Sequence, residues 1–382
     1  MSRVFNRRLP EEAFVWADTL PRPLDIELVP LHAAAGRMVG RDLHAERNIP
    51  PQRMAAADGF ALRSCDTIGA SDYSPLPLTL QPTAARLAPA EATQVRWGDP
   101  MPQAADAVLA LEFAEVAGTT LEVTRTLAAG DGVAELGEEF RAGDLLLPEG
   151  RALRPQDLAL LAQAGWDKAP VWRKPIVRLL MAGRYATDAD GPMLTNLVAR
   201  DGGCLEDVRV ALDGTALAAA LVRPGADVIL VVGATGEGGS DHAVASLAQA
   251  GVVDIHGVAI HPGGNLALGK AGDAAVVLLP GTPLACFSAY DLLGARILRR
   301  LARLPGPWPY RSATLPLGGK LASRIGRLEL CRVQVRDGLV EPLAVADDRI
   351  LATVVRADGF VIMPADSEGC ARGSEVLVHF YD

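Results

Sequence analysis

Cysteine is scarce: five residues in 382 (Cys65, Cys204, Cys286, Cys331 and Cys370), odd in number, widely spaced and never arranged as Cys-x-x-Cys. This indicates neither a disulfide framework nor a zinc site, and most of the five read as small buried hydrophobes. Long apolar runs are missing as well. No stretch approaches the roughly 18 residues that cross a bilayer, and the opening MSRVFNRRLPEEAF has no apolar middle of the signal-peptide kind, so a cytoplasmic protein with no membrane partner is expected. Lysine and arginine form no run that could track a phosphate backbone. With a net charge of -9 and a pI near 5.3, nucleic acid is not an expected partner.

Familiar catalytic signatures are absent too. There is no G-x-S-x-G elbow and no His-Glu-x-x-His helix. The stretch GNLALGKA (264–271) approaches a phosphate-binding P-loop, but Ala271 stands where the metal-binding hydroxyl should be, and the following AAVVLL reads as a strand. A hairpin is the better reading. The six histidines are scattered, and only His242 and His261 lie near loops of interest.

What remains is a chain that is 49% hydrophobic and 22% charged, long enough for several domains with substantial cores. PEEAFVWADTL reads as a helix, and PLHAAAGRMVGRDLHA has the spacing of a second. From 48 to 147 the segments are short, alternating and bounded by Pro, Gly and Asp, the pattern of a β-rich domain. PQDLALLAQAG is a helix opened by Pro155 and closed by Gly165. From 175 to 305 apolar strands alternate with helices, which predicts a parallel sheet covered on both faces. After LPGPWPY the chain returns to short strands. The expected organisation is therefore α/β plus β. A helical linking region (1–47 and 148–174) adjoins a β-rich insertion domain (48–147), an α/β domain (175–305) and a small C-terminal β domain (306–382).

In a parallel α/β domain, ligands lie beyond the carboxyl ends of the strands, where loops lead into helix N-termini. Two loops have the right composition. In GATGEGGSDH (233–242) glycines permit close approach of backbone N–H groups to an anion, with Ser240 as the expected N-cap. In LLPGTPLACF, Thr282 is the expected N-cap and Pro283 the first helical residue. Either loop alone reads better as a plain turn, and it is the two together in one α/β domain that favour a ligand site; Asp241 and Asp227 each have a structural explanation at an element start. Asp58-Gly59, ahead of FALR, reads locally as a turn entering a strand.

Taken in order, these segments resemble the molybdopterin molybdenumtransferase family, which includes the C-terminal domain of gephyrin. The resemblance is carried by VPLHAAAGRMVGRDLHAERNIPPQRMAAADGFALRSCD, GDPMPQAADAVLALE, ELGEEFRAGDLLLPEGRALRPQDLALLAQAG, DGPMLTNLVARDGG, GATGEGGSDH, HGVAIHPGGNLALGK, LLPGTP, GRLELCRVQV and RADGFVIMPADSEGCARGSEVLVHFY. It implies an elongated homodimer that inserts molybdate into adenylylated molybdopterin with Mg²⁺, releasing AMP. It also implies catalytic and metal-binding roles for Asp58, Glu139, Asp227 and Asp241, and a ligand-binding surface at Gly233, Thr235, Gly236, Gly238, Ser240, His261, Gly281 and Thr282. This sequence departs from the family pattern at several of these points. Tyr185 replaces a glutamate, and the Pro-Gly-Lys-Pro loop with its preceding lysine is here His261-Pro262-Gly263-Gly264-Asn265, so that both lysines are gone. The second reading compatible with these losses is a non-catalytic carrier that binds molybdopterin or finished cofactor and delivers it to a molybdoenzyme, or a scaffold.

Overall fold

The computed structural model describes residues 7–20, 24–182, 190–236, 241–343 and 351–381. The chain divides into two compact units, one formed by residues 28–171 and the other by the residues up to 27 together with those from 172 onward.

The 28–171 unit is built on a six-stranded sheet. Its strands run in the order Ala107–Ala110, Gly59–Leu62, Glu91–Val95, Leu76–Gln81, Thr120–Val123 and Ala114–Ala117, all neighbours antiparallel except the third and fourth. Gly59 is required here, because a Cβ would collide with the Leu109 carbonyl oxygen of the adjoining strand. Phe60, Leu62, Leu78, Leu109, Leu121 and Val123 fill the core on one face. A second cluster, including Val39, Leu43, Leu153, Leu161 and Val171, packs beneath the helix Pro155–Gln163.

The second helix expected over 30–45 does not form. Only the short turn Leu31–Ala33 is helical. Gly36 adopts φ +74, and the backbone that follows is used for pairing instead: Gly36 N–H donates to Leu153 O, Val39 N–H to Arg151 O and Gly40 N–H to Pro170 O. Those bonds and the two glycines outweigh the helical spacing of the apolar residues.

The carboxylate of Asp157, in the first turn of Pro155–Gln163, is only 4% exposed. The guanidiniums of Arg154 (Nη2 2.9 Å, Nε 3.0 Å) and Arg151 (Nη2 3.0 Å) converge on it, together with the Arg154 backbone N–H (2.9 Å). The Arg154 guanidinium above all, then Arg151 and the backbone N–H, hold its carboxyl well below the ordinary value of 3.8, against the opposing effect of burial. A carboxyl with a depressed folded-state pKa contributes stability above its ordinary pKa and loses it as pH falls toward the folded value. Asp157→Asn is therefore expected to cost about 1–2 kcal/mol at pH 7 and less at pH 3. Urea midpoints at the two pH values check this; an equal loss at both would refute it.

The other unit holds a six-stranded sheet ordered Cys204–Leu212, Ile176–Ala182, Val228–Val232, Ala274–Leu279, Ala267–Ala271, Val252–His256. The first four strands are mutually parallel. Ala267–Ala271 then runs antiparallel to both of its neighbours, Ala274–Leu279 and Val252–His256, so the sheet is mixed rather than wholly parallel. Both faces are covered. Leu179, Met181, Leu230, Val232, Val277 and Leu279 meet the helices Pro10–Thr19, Asp190–Arg200 and the long helical run from Pro283 to Leu301. Leu180, Ile229, Val231, Val276 and Leu278 meet Gly214–Leu221 and Ala243–Ala250. This two-sided burial is why VILVV and AAVVLL are continuously apolar, each large side chain contributing about 1.5–3 kcal/mol.

One buried polar cluster ties the long helical run to its neighbours. Asp201, 0% exposed, accepts from Arg200 Nη2 (2.7 Å), Tyr290 OH (3.1 Å) and Arg299 Nη1 (3.3 Å). Asp291 accepts from Arg200 Nη2 (2.9 Å) and Tyr310 OH (2.7 Å). Burial pushes the Asp291 carboxyl up, opposed by Arg200 and Tyr310.

The C-terminal sheet has the order Ile260–His261, Leu328–Arg336, Gly359–Met363, Glu375–Phe380, Arg311–Pro316, with Leu339–Pro342 beside Leu328–Arg336. Its first pair is parallel, with Ile260 opposite Leu328 and His261 opposite Glu329. Arg332, 1% exposed, donates to Leu330 O (2.9 Å) and Ser288 Oγ (2.6 Å), fastening this sheet to the helix Pro283–Ala289.

Candidate functional site

The carboxyl ends of Ile176–Ala182, Val228–Val232 and Ala274–Leu279 meet at Gly233. Its N–H donates to Leu279 O (2.9 Å), its φ is +90, and a Cβ there would run into the Ala182 carbonyl oxygen, with the Gly281 Cα at 4.0 Å. Only glycine fits a point where three strand ends close in. Ala234 follows at φ +53 and Thr235 is buried. Ala243 N–H then donates to Ala234 O (3.0 Å), closing the loop onto the start of Ala243–Ala250. The Asp241 carboxylate lies against Gly236, where a Cβ would stand 2.6 Å from Oδ2. The joint brings glycine backbone and a carboxylate together beyond the carboxyl ends of the strands, the region where parallel α/β sheets take their ligands.

Two details differ from expectation. The N-cap position of Ala243–Ala250 is His242, not Ser240, and Thr282 sits at the N-cap of Pro283–Ala289 without a side-chain capping bond. The helix start falls two residues later than the serine, and at Thr282 the expected hydroxyl contact is not made. Tyr185, Gly238 and Ser240 lie outside the described residues.

The His261 loop borders a cavity of 480 Å³ lined by His261, Lys320, Arg324, Arg327, Glu329 and Cys331 among others. Three basic side chains with one carboxylate suit an anion. Glu329 is engaged by Arg327 Nε at 2.7 Å. Burial pushes the Cys331 thiol up to about 12, so it is not a thiolate near neutral pH. Gly263, at φ +104, seats the same loop on the helix Pro283–Ala289: a Cβ there would meet Ala285 O at 2.9 Å and the Ala289 Cβ at 3.1 Å. Of the cavity residues His261 is an expected one, whereas Lys320, Arg324 and Arg327 stand singly in the sequence and only their 4 and 3 spacing could draw notice.

Asp227 does not belong with these groups. It precedes Val228–Val232, so the whole strand separates it from Gly233, about 20 Å at strand rise. Its carboxylate is taken up by Arg173, both guanidinium contacts at 2.7 Å, and by Ile176 N–H at 2.7 Å. The structure therefore does not bring Asp227, expected in catalytic and metal roles, to the Gly233 loop: it anchors Arg173 and the Ile176 N–H at the opposite end of the strand.

Asp58 and Glu139 lie in the 28–171 unit, both exposed. Asp58 Oδ1 accepts from Trp97 N–H (2.7 Å). Glu139 is placed by its N–H to Ile49 O (2.9 Å). The segments around them are joined where Met54–Ala55 pairs with Val133–Ala134. The four carboxylates thus divide two and two between the units. Among the described residues, no three His, Cys, Asp or Glu side chains gather as a metal cage.

Three family models match the chain in succession: "MoeA N-terminal region (domain I and II)" at residues 10–165, "Probable molybdopterin binding domain" at 178–300 and "MoeA C-terminal region (domain IV)" at 314–381. The chain belongs to the molybdopterin molybdenumtransferase family. The molybdopterin molybdenumtransferase of Bacillus subtilis is 25% identical, over 93% of this chain and 89% of the relative. Molybdopterin molybdenumtransferase 1 of Mycobacterium tuberculosis is 26% identical, over 95% and 96%. The crystal structure of the molybdopterin biosynthesis MoeA protein of Pyrococcus horikosii superposes with a TM-score of 0.81 at 27% identity, over 99% of this chain and 100% of that one. The multidomain fold with mixed sheets and a small C-terminal β domain is that family's fold.

Proposed function

We propose that this protein inserts molybdate into adenylylated molybdopterin with release of AMP, as a step of molybdenum cofactor biosynthesis. The observation that carries the reading is Asp241 held against Gly236 where the strand ends converge on Gly233 and Gly281. Glycine backbone and the N-terminus of Pro283–Ala289 can receive the phosphate of a pterin nucleotide. The basic cavity beside His261 can receive a second anion. Asp241 would repel the phosphate unless a cation lay between them.

Mg²⁺ fits that position, since it is usually held by one or two carboxylates, waters and substrate phosphates rather than by an all-protein cage. When bound, it would neutralise charge on the phosphate. Asp241 would hold it, while Thr235, His261 and Thr282 orient the nucleotide. In a homodimer acting in the cytoplasm, the exposed Asp58 and Glu139 would face the site of the partner subunit, and the finished cofactor would pass to a molybdoenzyme.

The purified protein is mixed with adenylylated molybdopterin, molybdate and Mg²⁺, and AMP and pterin-bound molybdenum are followed. Molybdate-dependent AMP release is the expected result. Binding of the nucleotide with no release would leave the carrier reading in its place.

A further inference from the structure

The loop His261–Asn265 has glycine where the family pattern has its second lysine. In this chain the backbone closes in on position 264, where a Cβ would stand 2.8 Å from Ile260 O and 2.9 Å from Val258 O, so that a side chain would require the loop to shift. The third neighbour of that same point, at 3.1 Å, is the Nη1 of Arg7. A guanidinium from the start of the chain therefore stands just outside Gly264.

Its placement is built into the backbone. Arg8 N–H donates to Gly257 O (3.0 Å) and Ala259 N–H to Arg8 O (2.8 Å), so that Arg8 bridges Val258 in parallel. Alternation along this extended segment turns Arg7 and Arg8 to opposite sides. Arg8 pairs with Glu12 at 3.1 Å. Arg7 instead donates from Nη2 to Asn265 Oδ1 at 3.2 Å, a neutral acceptor, and among the described residues it has no ion pair. An arginine carries five donors and stays charged at any working pH, so this one retains an uncompensated charge and capacity for an oxyanion.

We propose that Arg7 is a binding residue of the 261–265 loop, giving it the cation that Gly264 lacks and receiving a tetrahedral oxyanion, either free molybdate or the phosphate of the pterin nucleotide. The inference rests on the transferase reading above. The test compares the full chain with Arg7→Ala and Arg7→Lys, titrating molybdate and nucleotide separately in the AMP-release assay. In Arg7→Ala the half-saturating concentration of one of the two anions should rise about tenfold or more, with kcat within about threefold and recovery in Arg7→Lys. The anion whose value moves identifies the ligand.

Unchanged values for both anions, in an active protein, would overturn the proposal and leave the function standing. So would a loss that Arg7→Lys fails to recover, which would indicate a packing role. If the parent protein releases no AMP, the transferase reading fails, and calorimetry with molybdate and with the nucleotide still decides on Arg7. Tenfold weaker binding of either by Arg7→Ala would support it, and equal binding of both would overturn it.

Discussion

Asp241→Asn should lower molybdate-dependent AMP release by about 100-fold or more while leaving thermal stability nearly unchanged. The amide keeps the shape that rests against Gly236 and removes the charge that would hold a cation against the substrate phosphate. Asp227→Asn should show the reverse. It breaks the twofold contact with Arg173, so stability falls, while turnover per folded molecule stays near that of the parent. Turnover of Asp241→Asn within about threefold of the parent would sink the assignment, and so would an Asp227→Asn protein that is stable but inactive.

The second large effect concerns stability alone. Asp201→Ala removes a fully buried carboxylate that Arg200, Arg299 and Tyr290 all reach, and leaves Arg299, only 5% exposed, without its anion. Breaking a buried pair from one side costs about 3–5 kcal/mol. Unfolding of the full chain in urea should show it, and a loss under about 1 kcal/mol would mean the cluster relaxes around the gap. Replacing the exposed Asp72 provides a baseline near zero.

These contrasts also mark what could be read from the sequence. The α/β core was legible because strands buried on both faces must be continuously apolar, as VILVV and AAVVLL are. The glycine loops were legible because a strand leading to a helix N-terminus leaves few alternatives. The region 30–45 was misread because apolar spacing is silent about backbone partners: Gly36, Val39 and Gly40 bond to residues more than a hundred positions away.

Asp227 was grouped with the glycine loop for a different reason. Motif order treats residues 227 and 233 as neighbours, whereas the strand between them holds them at its opposite ends. Arg7 could not be found by any local pattern, since its partner Asn265 lies 258 positions further on.

The clamp on Asp227 also bears on how such a chain could have been assembled. Arg173, which grips Asp227, donates its own backbone N–H to Asp25 O at 3.0 Å. The points where the chain leaves the α/β unit and returns to it are therefore side by side. Everything between them has the character of a guest module, spliced into a host whose sheet, helices and glycine loops are continuous without it. A tight turn from Asp25 to Arg173 would suffice to close the host again.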